Sequence, residues 1–542
     1  MAISPEYERA EDPGRQKSIF ERSTSRRRLL GGFAVSAMGV AAMTLPRFTP
    51  AQSEPLGGQI SVPVKPTALE GALGAQSRII EENQKKGDEL NWYPLSEYRE
   101  VPFGLYTDRN SIAAGERLQI FASAKEPAAA SLEVFRIGYY GGRGARRVFL
   151  REGVKVPNQG WWLPETGLQD APRAVYDEST GLLDCNWEPA ATVETTSDWV
   201  SGYYLARLSD KKGNSSEMPF IVRDELNPGK LVVLISTFTP QAYNNFGGRS
   251  LYGYTSSQGK RASMVSFNRP LGKRFGLGQE ILDNSDPQFV RWIEQKGYDA
   301  SYCTDYDLHR RSDLLDQSRG IVYVGHSEYW TAQMFDNALA ARDSGKHAAF
   351  YGANNVYWQI RLEPDARDRE DRTVVCYKSQ SDPQIGNPRR ATVRFNSPEV
   401  GRPQSALTGT VYGSELGGEL GELSPVNQDW VAGEPKASWI LEGTGLKTGD
   451  RIGGLVGREY DTLGQASLLP SNLDVVAASP VKNAHGQKGT ANTTLYESSK
   501  SGSLAFSAGT LRWNRALTPG TPFYDPRVER ITTNFLDRML RE

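Results

Sequence analysis

Three short segments of the sequence combine glycine with side chains that can bind a metal or move a proton. They are Gln241-Ala242-Tyr243-Asn244-Asn245-Phe246-Gly247-Gly248, Gly325-His326-Ser327-Glu328 and Gly352-Ala353-Asn354-Asn355. Glycine allows the backbone to approach a ligand closely, while phenol, imidazole, carboxylate and amide groups supply ligation, proton transfer and hydrogen bonds. Each segment follows a short apolar run. We therefore expect the chemistry of the protein to gather where the three segments meet.

Oxygen atoms are the favoured metal ligands in this set. Tyr243 and Glu328 can offer a phenolate and a carboxylate to a hard ion such as ferric iron, with His326 beside them as a proton-transfer group. A three-histidine zinc site is not expected, because the chain has only 4 histidines and none forms the pair of a zinc protease helix. Structural roles are an equal alternative, with Glu328 near the positive end of the next helix and Tyr243 in the core.

The segment around Ser327 also half-matches a nucleophile elbow, in which a serine sits on a tight turn between a strand and a helix. Tyr329 stands where that motif has its second glycine, and this departure weakens the match. A serine hydrolase that uses Ser327 is therefore a second catalytic hypothesis. The sequence contains neither a phosphate-binding glycine loop of the P-loop type nor a dinucleotide fingerprint.

Apolar runs and helix signals predict the elements that position these segments. A continuous apolar run such as Leu231–Ile235 is typical of a strand buried on both faces, and helices are signalled by Pro287 at a first turn and by Asp525-Pro526 near the end of the chain. The alternation predicts an α/β fold: a mainly parallel sheet with flanking helices, of the flavodoxin or glutamine-amidotransferase type. In such a sheet the loops that follow the strands converge on one crevice. The other predicted strands are Tyr298–Thr304, Ile321–Val324, Ala348–Tyr351 and Ser503–Ser507. Helices are predicted from a cap at Ser285 or Asp286 to Gly297 and over about 331–344. A last helix begins at Asp525-Pro526 and is expected to turn four apolar side chains inward, Val528, Ile531, Phe535 and Met539.

An all-β module is predicted ahead of this domain. Arg117–Ala124 alternates apolar and polar residues, as a half-buried strand does, and further short runs follow without a helical period. We expect a β-sandwich over 95–226, then an α/β domain over 227–542 with a β-rich insertion at about 400–500. The aromatic clusters around Tyr139-Tyr140 and Trp161-Trp162 fit either packing or a sugar-binding platform.

The first residues have the order of an export signal. Ser25-Arg26-Arg27-Arg28-Leu29-Leu30 precedes an apolar run to about Leu45 and then small residues, as in a twin-arginine signal peptide. We expect residues 1–51 to be removed, 52–94 to form a linker or arm, and the protein to be periplasmic or secreted. Lys plus Arg (63) nearly equals Asp plus Glu (64), which argues against nucleic-acid or membrane partners. The 3 widely spaced cysteines support neither a disulfide framework nor a thiolate metal cluster, and they leave a single disulfide open.

The three segments, and a fourth later in the chain, resemble the catalytic region of the large (beta) subunit of N,N-dimethylformamidase, and the similarity extends over about 95–542. The segments are Ala242-Tyr243-Asn244 with Gly247-Gly248, Gly325 to Trp330, Gly352 to Asn355, and Val375-Cys376-Tyr377-Lys378. The resemblance implies a mononuclear iron held by two tyrosines and one glutamate, and the hydrolysis of a small amide. The small subunit of that enzyme is not expected within this chain, and homo-oligomerisation stays open.

The resemblance also implies a role for individual residues. Tyr243 would be one phenolate ligand and Glu328 the carboxylate ligand, His326 would transfer protons, and Asn354, Lys378 and Glu459 would line the substrate pocket. The second tyrosine is expected after Ser266-Phe267-Asn268-Arg269-Pro270, where this chain has Leu271. Tyr252 or Tyr254 takes its place, or the iron site is incomplete.

Three functions follow as hypotheses. The first is an exported hydrolase that uses a metal, by resemblance iron, to cleave an amide or another C–N bond in a small-molecule substrate. The second is a non-catalytic periplasmic protein that binds a glycan or another small ligand. The third is the serine hydrolase that uses Ser327.

Overall fold

The computed structural model describes residues 78–89, 102–163, 167–169, 171, 173–225, 230–271, 286–417, 427–521 and 523–541. They belong to one compact unit, Ser77–Glu542. The predicted signal peptide and most of the predicted arm lie outside the described residues. None of the described helices is long and apolar enough to cross a bilayer.

The N-terminal part of this unit is built almost entirely from strands. Among the described residues, one sheet has the order β1-β6-β5-β12-β13-β3 and another the order β11-β4-β2, with antiparallel pairing except between β13 and β3. Apolar side chains from both sheets share one hydrophobic core, the arrangement predicted for a β-sandwich. The strands are β1 Asp88–Glu89, β2 Phe103–Thr107, β3 Ser111–Ala113, β4 Arg117–Ala124, β5 Ala128–Ile137, β6 Gly144–Val156, β7 Trp161–Leu163, β8 Gly167–Gln169, β9 Val175–Asp177, β10 Leu182–Asp184, β11 Pro189–Glu194, β12 Gly202–Ser209 and β13 Ser215–Arg223.

The C-terminal part contains a larger sheet and several small ones. The large sheet has the order β16-β14-β17-β19-β28-β27-β26, in which the first five strands are parallel and β27 pairs antiparallel with both of its neighbours, β28 and β26. The strands are β14 Leu231–Ile235, β15 Met264–Ser266, β16 Ala300–Thr304, β17 Gly320–Val324, β18 Tyr329–Thr331, β19 His347–Tyr351, β20 Trp358–Glu363, β21 Thr373–Val375, β22 Val411–Gly417, β23 Gln428–Val431, β24 Arg451–Val456, β25 Arg458–Thr462, β26 Asp474–Lys482, β27 Lys488–Glu497 and β28 Leu504–Ser507.

The predicted fold class, a mainly parallel sheet flanked by helices as in flavodoxins or glutamine amidotransferases, is wrong. The structure is 37% strand and 20% helix, and its strands are distributed over many small mixed or antiparallel sheets. Beyond the parallel strands, between 352 and 500, the described chain forms further strands, turns and single helical turns, and the two longest of these strands, β26 and β27, pair antiparallel. Periodicity identifies a strand, but the direction of its partner depends on residues far away in sequence.

Individual elements of this region agree with the sequence. The helix signalled by Pro287 runs from Asp286 and buries Phe289, Trp292 and Ile293, while the predicted cap Ser285 lies outside the described residues. Two strands of the predicted 400–500 insertion, β26 and β27, extend the large sheet. The helices are α1 Arg78–Asn83, α2 Phe238–Tyr243, α3 Asp286–Gln295, α4 Asp305–Arg310, α5 Ala332–Asp343, α6 Ser405–Thr408 and α7 Pro526–Arg541, with 3-10 turns at Tyr140–Gly142, Gly253–Thr255, Ser257–Gly259, Ser438–Leu441, Ala466–Leu468 and Trp513–Leu517.

A buried ion pair joins the sandwich to α3. Both guanidinium ends of Arg136, on β5, donate to the carboxylate of Glu294 at 2.8 and 3.0 Å, and neither side chain is exposed. Tyr302 and Asn83 donate further hydrogen bonds to the same carboxylate. A buried carboxylate with this many donors is well stabilised, so the two parts are held in one arrangement.

Candidate functional site

Three loops that follow neighbouring parallel strands of the large sheet meet at one edge. Tyr243 ends α2 after β14, Glu328 lies between β17 and β18, and Asn354 follows β19. The hydroxyl of Tyr243 donates a hydrogen bond of 3.0 Å to Oε2 of Glu328. The loops approach closely because they contain glycine: a Cβ atom on Gly352 would lie only 1.8 Å from the carbonyl oxygen of Gly325.

A second phenol completes a compact set of oxygen atoms. The hydroxyl of Tyr252 donates to Oε1 of Glu328 at 2.6 Å and lies 3.3 Å from the hydroxyl of Tyr243. The two phenol rings contact each other, with their centroids 4.5 Å apart. Burial raises the pKa of both phenols well above their usual range, and the Glu328 carboxylate adds to the shift. These shifts favour the neutral phenols, each of which donates a hydrogen bond to Glu328.

The backbone holds Glu328 firmly in this position. Its N–H donates to the hydroxyl of Thr239, and its carbonyl accepts from the N–H groups of Tyr357 and Trp358. Its side chain is only 2% exposed, and burial raises the pKa of the carboxyl. Helix α5 begins three residues beyond Tyr329 with Thr331 as its N-cap, so Glu328 does not lie in the first turn of that helix.

His326 lies between two carboxylates. Its Nε2 is 3.5 Å from Glu328 and 3.4 Å from Glu459, and it makes no hydrogen bond within the described part of the chain. Burial lowers the pKa of the imidazole, so the neutral form is favoured. Burial also raises the pKa of Glu459 to about 7. A neutral imidazole flanked by two acids is suited to taking up and passing on a proton.

Asn354 connects this group to a further acid. Its side-chain amide donates to Glu459 at 2.9 Å, and its backbone N–H donates to Asp461 at 2.8 Å. Asp461 also accepts a hydrogen bond from Thr410, and burial raises its pKa to about 7. Asn354 adopts a φ of +54°, a conformation that few residues other than glycine favour, and these two hydrogen bonds help to hold it there.

The ammonium group of Lys378 lies among three aromatic rings. It is 3.3 Å from the ring centroid of Tyr252, 4.8 Å from that of Trp358 and 5.4 Å from that of Tyr329. A cation over the face of an aromatic ring is attracted by the electron density of the ring. The ammonium group of Lys378 therefore lies over the face of the Tyr252 ring.

Two other predicted positions lie away from this group. The Ser327 hydroxyl is fully buried and accepts a hydrogen bond of 2.9 Å from the Trp330 indole, with no histidine bonded to it among the described residues. The segment leads into β18 rather than into a helix, unlike a nucleophile elbow. Leu271 is 6% exposed and packs in the apolar core of the sandwich, which also contains Phe246 and Trp161.

The oxygen set fits a hard metal ion. The described residues contain no group of three or more His, Cys, Asp or Glu side chains arranged to hold a metal, but two of the three donors here are phenols. The oxygens of Tyr243, Tyr252 and Glu328 are separated by 2.6 to 3.3 Å. Oxygen atoms that share an ion at about 2 Å have similar separations. Phenolate and carboxylate oxygens suit ferric iron better than a soft ion.

The family of the protein follows from a match over most of its length. The family model "N,N-dimethylformamidase beta subunit-like, C-terminal" matches residues 131–526. The chain belongs to this N,N-dimethylformamidase beta subunit-like family. The match contains every member of the candidate site, and it agrees with the resemblance seen in the sequence. The family is named for one subunit of a multi-subunit enzyme that acts on a small molecule.

Other comparisons with known proteins are weak. No curated protein matches the sequence. A cycloisomaltooligosaccharide glucanotransferase from Paenibacillus sp., complexed with cycloisomaltoheptaose, is 9% identical, with 47% of this chain and 45% of that chain covered and a TM-score of 0.16. A β-glucosidase from Erythrobacter marinus is 11% identical, with 24% and 18% covered and a TM-score of 0.12. This chain spans less than half the length of either protein, and likeness at this level supports no conclusion about function.

The sequence reasoning did not single out Asp461. Glu459 and Asp461 are two residues apart on β25, so both point to the same face of the strand. Two acids at this spacing in a predicted strand indicate a pair of carboxylates on one face of the sheet. The sequence does not distinguish Tyr252 from Tyr254, because the loop that carries both tyrosines has no regular pattern.

Proposed function

We propose that the protein is a metal-dependent hydrolase that cleaves an amide or a related C–N bond in a small substrate. The observation that carries the proposal is the contact between Tyr243 and Glu328 at the edge of the large sheet, with His326 beside the carboxylate. Membership of the N,N-dimethylformamidase beta subunit-like family supports the same reaction class. Ferric iron is the ion that this oxygen set favours.

The residues of the site divide into two groups with different tasks. Tyr243 and Glu328 would hold the ion, which when bound would polarise a carbonyl group and make water more acidic. His326, neutral because it is buried, accepts a proton at Nε2 and returns it to the departing amine. Glu459 lies 3.4 Å from that nitrogen and stabilises the imidazolium that forms. Asn354 orients Glu459 through its side-chain amide.

The burial of these residues limits the size of the substrate. Tyr243, Glu328, His326, Asn354 and Glu459 are all 9% exposed or less. A substrate that reaches Nε2 of His326 must therefore be small, which favours a short amide over a polymer or an extended glycan. The aromatic residues of the sandwich do not offer an alternative sugar platform at Tyr140 or Trp161, since both are buried in packing contacts.

We propose that the enzyme works outside the cytoplasm. The paired arginines near the N-terminus support export by the twin-arginine route, which carries folded proteins and so suits a protein that acquires its ion before export. The family name also favours assembly with a separate small subunit or with further copies of this chain.

Elemental analysis together with one isosteric variant tests the proposal. We expect about one iron per chain in protein purified from an exporting host, and turnover of small amides in a panel of amides and esters. Glu328→Gln removes the carboxylate charge and should abolish both iron content and turnover, whereas Glu434→Gln, on the surface, should change neither. Wild-type protein without a stoichiometric metal contradicts the proposal. Metal-independent ligand binding that survives Glu328→Gln would instead identify a binding protein.

A further inference from the structure

We propose that Tyr252 supplies the second phenolate oxygen of the metal site and that Lys378 holds its ring in place. The inference rests on the proposed function, because it concerns the same metal site. It differs from the expectation drawn from the family resemblance, in which the second tyrosine follows Pro270. In this chain Leu271 stands at that position and its side chain packs in the core of the sandwich.

The hydrogen bonds of Tyr252 match those of Tyr243. Each phenol donates to a different oxygen of Glu328, Tyr252 to Oε1 and Tyr243 to Oε2. The two hydroxyl oxygens are 3.3 Å apart, so both can reach one ion at about 2 Å with little movement. Metal binding would replace the phenol protons, which pass to solvent. Two phenolates and one carboxylate then carry three negative charges, equal to the charge of ferric iron.

Two other tyrosines lie nearby but do not offer an oxygen to this carboxylate. Tyr254 is 44% exposed, and its ring lies 5.3 Å from that of Tyr252. Tyr329 is fully buried, and its ring meets that of Tyr252 edge-on, with the centroids 6.4 Å apart. Neither donates to Glu328 in the described structure. Tyr254 is therefore the matched control, because it places a phenol next to the site without a hydrogen bond to the carboxylate.

Lys378 is suited to position the Tyr252 ring. Its ammonium group is 3.3 Å from the ring centroid, while Glu328 bonds the hydroxyl of the same ring. The ring is thus held at its face and at its oxygen. A positive charge at the face also favours the negative charge that develops on the phenolate. Lys378 adopts a φ of +56°, an unfavourable backbone conformation for a residue with a side chain. Such conformations cluster at functional sites, which agrees with a positioning role for this residue.

The experiment measures iron binding and the visible charge-transfer absorption of tyrosinate bound to ferric iron. Wild-type protein and the variants Tyr252→Phe, Tyr243→Phe and Tyr254→Phe are loaded with ferric iron, and absorbance per bound iron is recorded. Tyr252→Phe should lose about half of the band, as Tyr243→Phe does, because one of two phenolates is removed. It should also lower iron affinity at least 10-fold in competition with a chelator. Tyr254→Phe should match the wild type.

Lys378 is tested by the same measurements. Lys378→Met should shift the maximum of the band and lower iron affinity by about 10- to 100-fold, as loss of a group that supports a ligand does. Lys378→Arg keeps the charge and should restore most of the affinity. Thermal unfolding of the metal-free variants shows that each is folded before loading.

The outcomes separate this inference from the proposed function. A full band and unchanged affinity in Tyr252→Phe overturn the role of Tyr252 and leave the metal-dependent hydrolase intact. Wild-type protein that binds no iron, or binds it without a tyrosinate band, overturns the metal site and this inference together. Lys378→Met with an unchanged band and affinity overturns the positioning role alone.

Discussion

The phenol of Tyr243 and the carboxylate of Glu328 are joined by a hydrogen bond of 3.0 Å although 85 positions separate them in the chain. The contact arises because β14 and β17 are adjacent parallel strands, so the loops after them leave the sheet at the same edge. Both groups are buried, and a buried carboxylate that is paired mainly with phenols is unusual for purely structural packing. This relationship is the basis for the predictions about catalysis.

His326 should be needed for turnover and not for metal binding. In His326→Gln the imidazole that faces Glu328 and Glu459 is lost, while the oxygen set is kept. We expect iron content to stay near that of the wild type and kcat to fall by about 10²- to 10⁴-fold, the usual contribution of a general acid–base group. Steady-state kinetics and elemental analysis of the same sample measure both. His485→Gln, on the surface, serves as the control, and an unchanged kcat in His326→Gln would contradict the role.

Ser327 should be dispensable for turnover. Its hydroxyl is buried against the Trp330 indole, which also donates to the Ser327 carbonyl, so Ser327→Ala leaves the indole with a partner. We expect kcat within a factor of about 3 of the wild type and a loss of stability below ~1.5 kcal/mol. A fluorophosphonate probe should leave active protein unlabelled. If the probe labels the wild-type protein stoichiometrically and Ser327→Ala abolishes that labelling, the serine hydrolase hypothesis is supported instead.

Asp461 should make the protein less stable as the pH rises. Burial raises the pKa of its carboxyl from 3.8 to about 7 in the folded state. The folded protein therefore holds this proton more tightly than the unfolded chain. That stabilisation is complete below about pH 4 and is lost as the pH rises through 7, by at most about 4 kcal/mol.

Urea denaturation at pH 5 and pH 8 checks this dependence. In Asp461→Asn the side-chain oxygen still accepts from the backbone of Asn354, and the amide can donate to Thr410, so the contacts are kept without the ionisation. We expect the free energy of unfolding to fall less between the two pH values in this variant than in the wild type. Equal slopes would show that Asp461 does not titrate in this range.

The buried pair of Arg136 and Glu294 should be important for stability. In Glu294→Gln the guanidinium stays buried without its counter-charge, and we expect a loss of about 3 to 5 kcal/mol in the free energy of unfolding. The exposed pair of Arg117 and Glu194 is the control, since Glu194→Gln should change stability by less than about 1 kcal/mol. Urea denaturation of both variants measures the loss in the free energy of unfolding for each pair. Similar small effects would mean that the two parts do not depend on this contact.

Much of the local structure could be predicted from the sequence. The buried strand Leu231–Ile235 and the helix that buries Phe289 and Trp292 follow from apolar periodicity and from Pro287 at a first turn. The last helix buries Val528, Ile531, Phe535 and Met539, the four positions expected to face inward. These predictions succeed because a period of two or of 3.6 residues, and a cap, depend on neighbours in the chain.

The fold class and the identity of the second phenol could not be predicted from local patterns in the sequence. The helix-flanked parallel sheet was expected from a local alternation of elements, but antiparallel pairs such as β20 with β21, and β26 with β27, depend on contacts between separate segments. Tyr252 lies in a loop without a period, and only its distance to Glu328 distinguishes it from Tyr254.

The amino-acid sequence by itself determined which segments are strands or helices, which chemical groups the protein has, and that Tyr243, His326, Glu328 and Asn354 lie in glycine-containing loops after strands. The tertiary structure decided how those strands pair, that Leu271 faces an apolar core, and that Tyr252 shares a carboxylate with Tyr243. The physical reason is the distance along the chain over which each interaction acts. Hydrophobic periodicity and capping act within a few residues, whereas hydrogen bonds between side chains 76 or 85 positions apart exist only after the chain has folded.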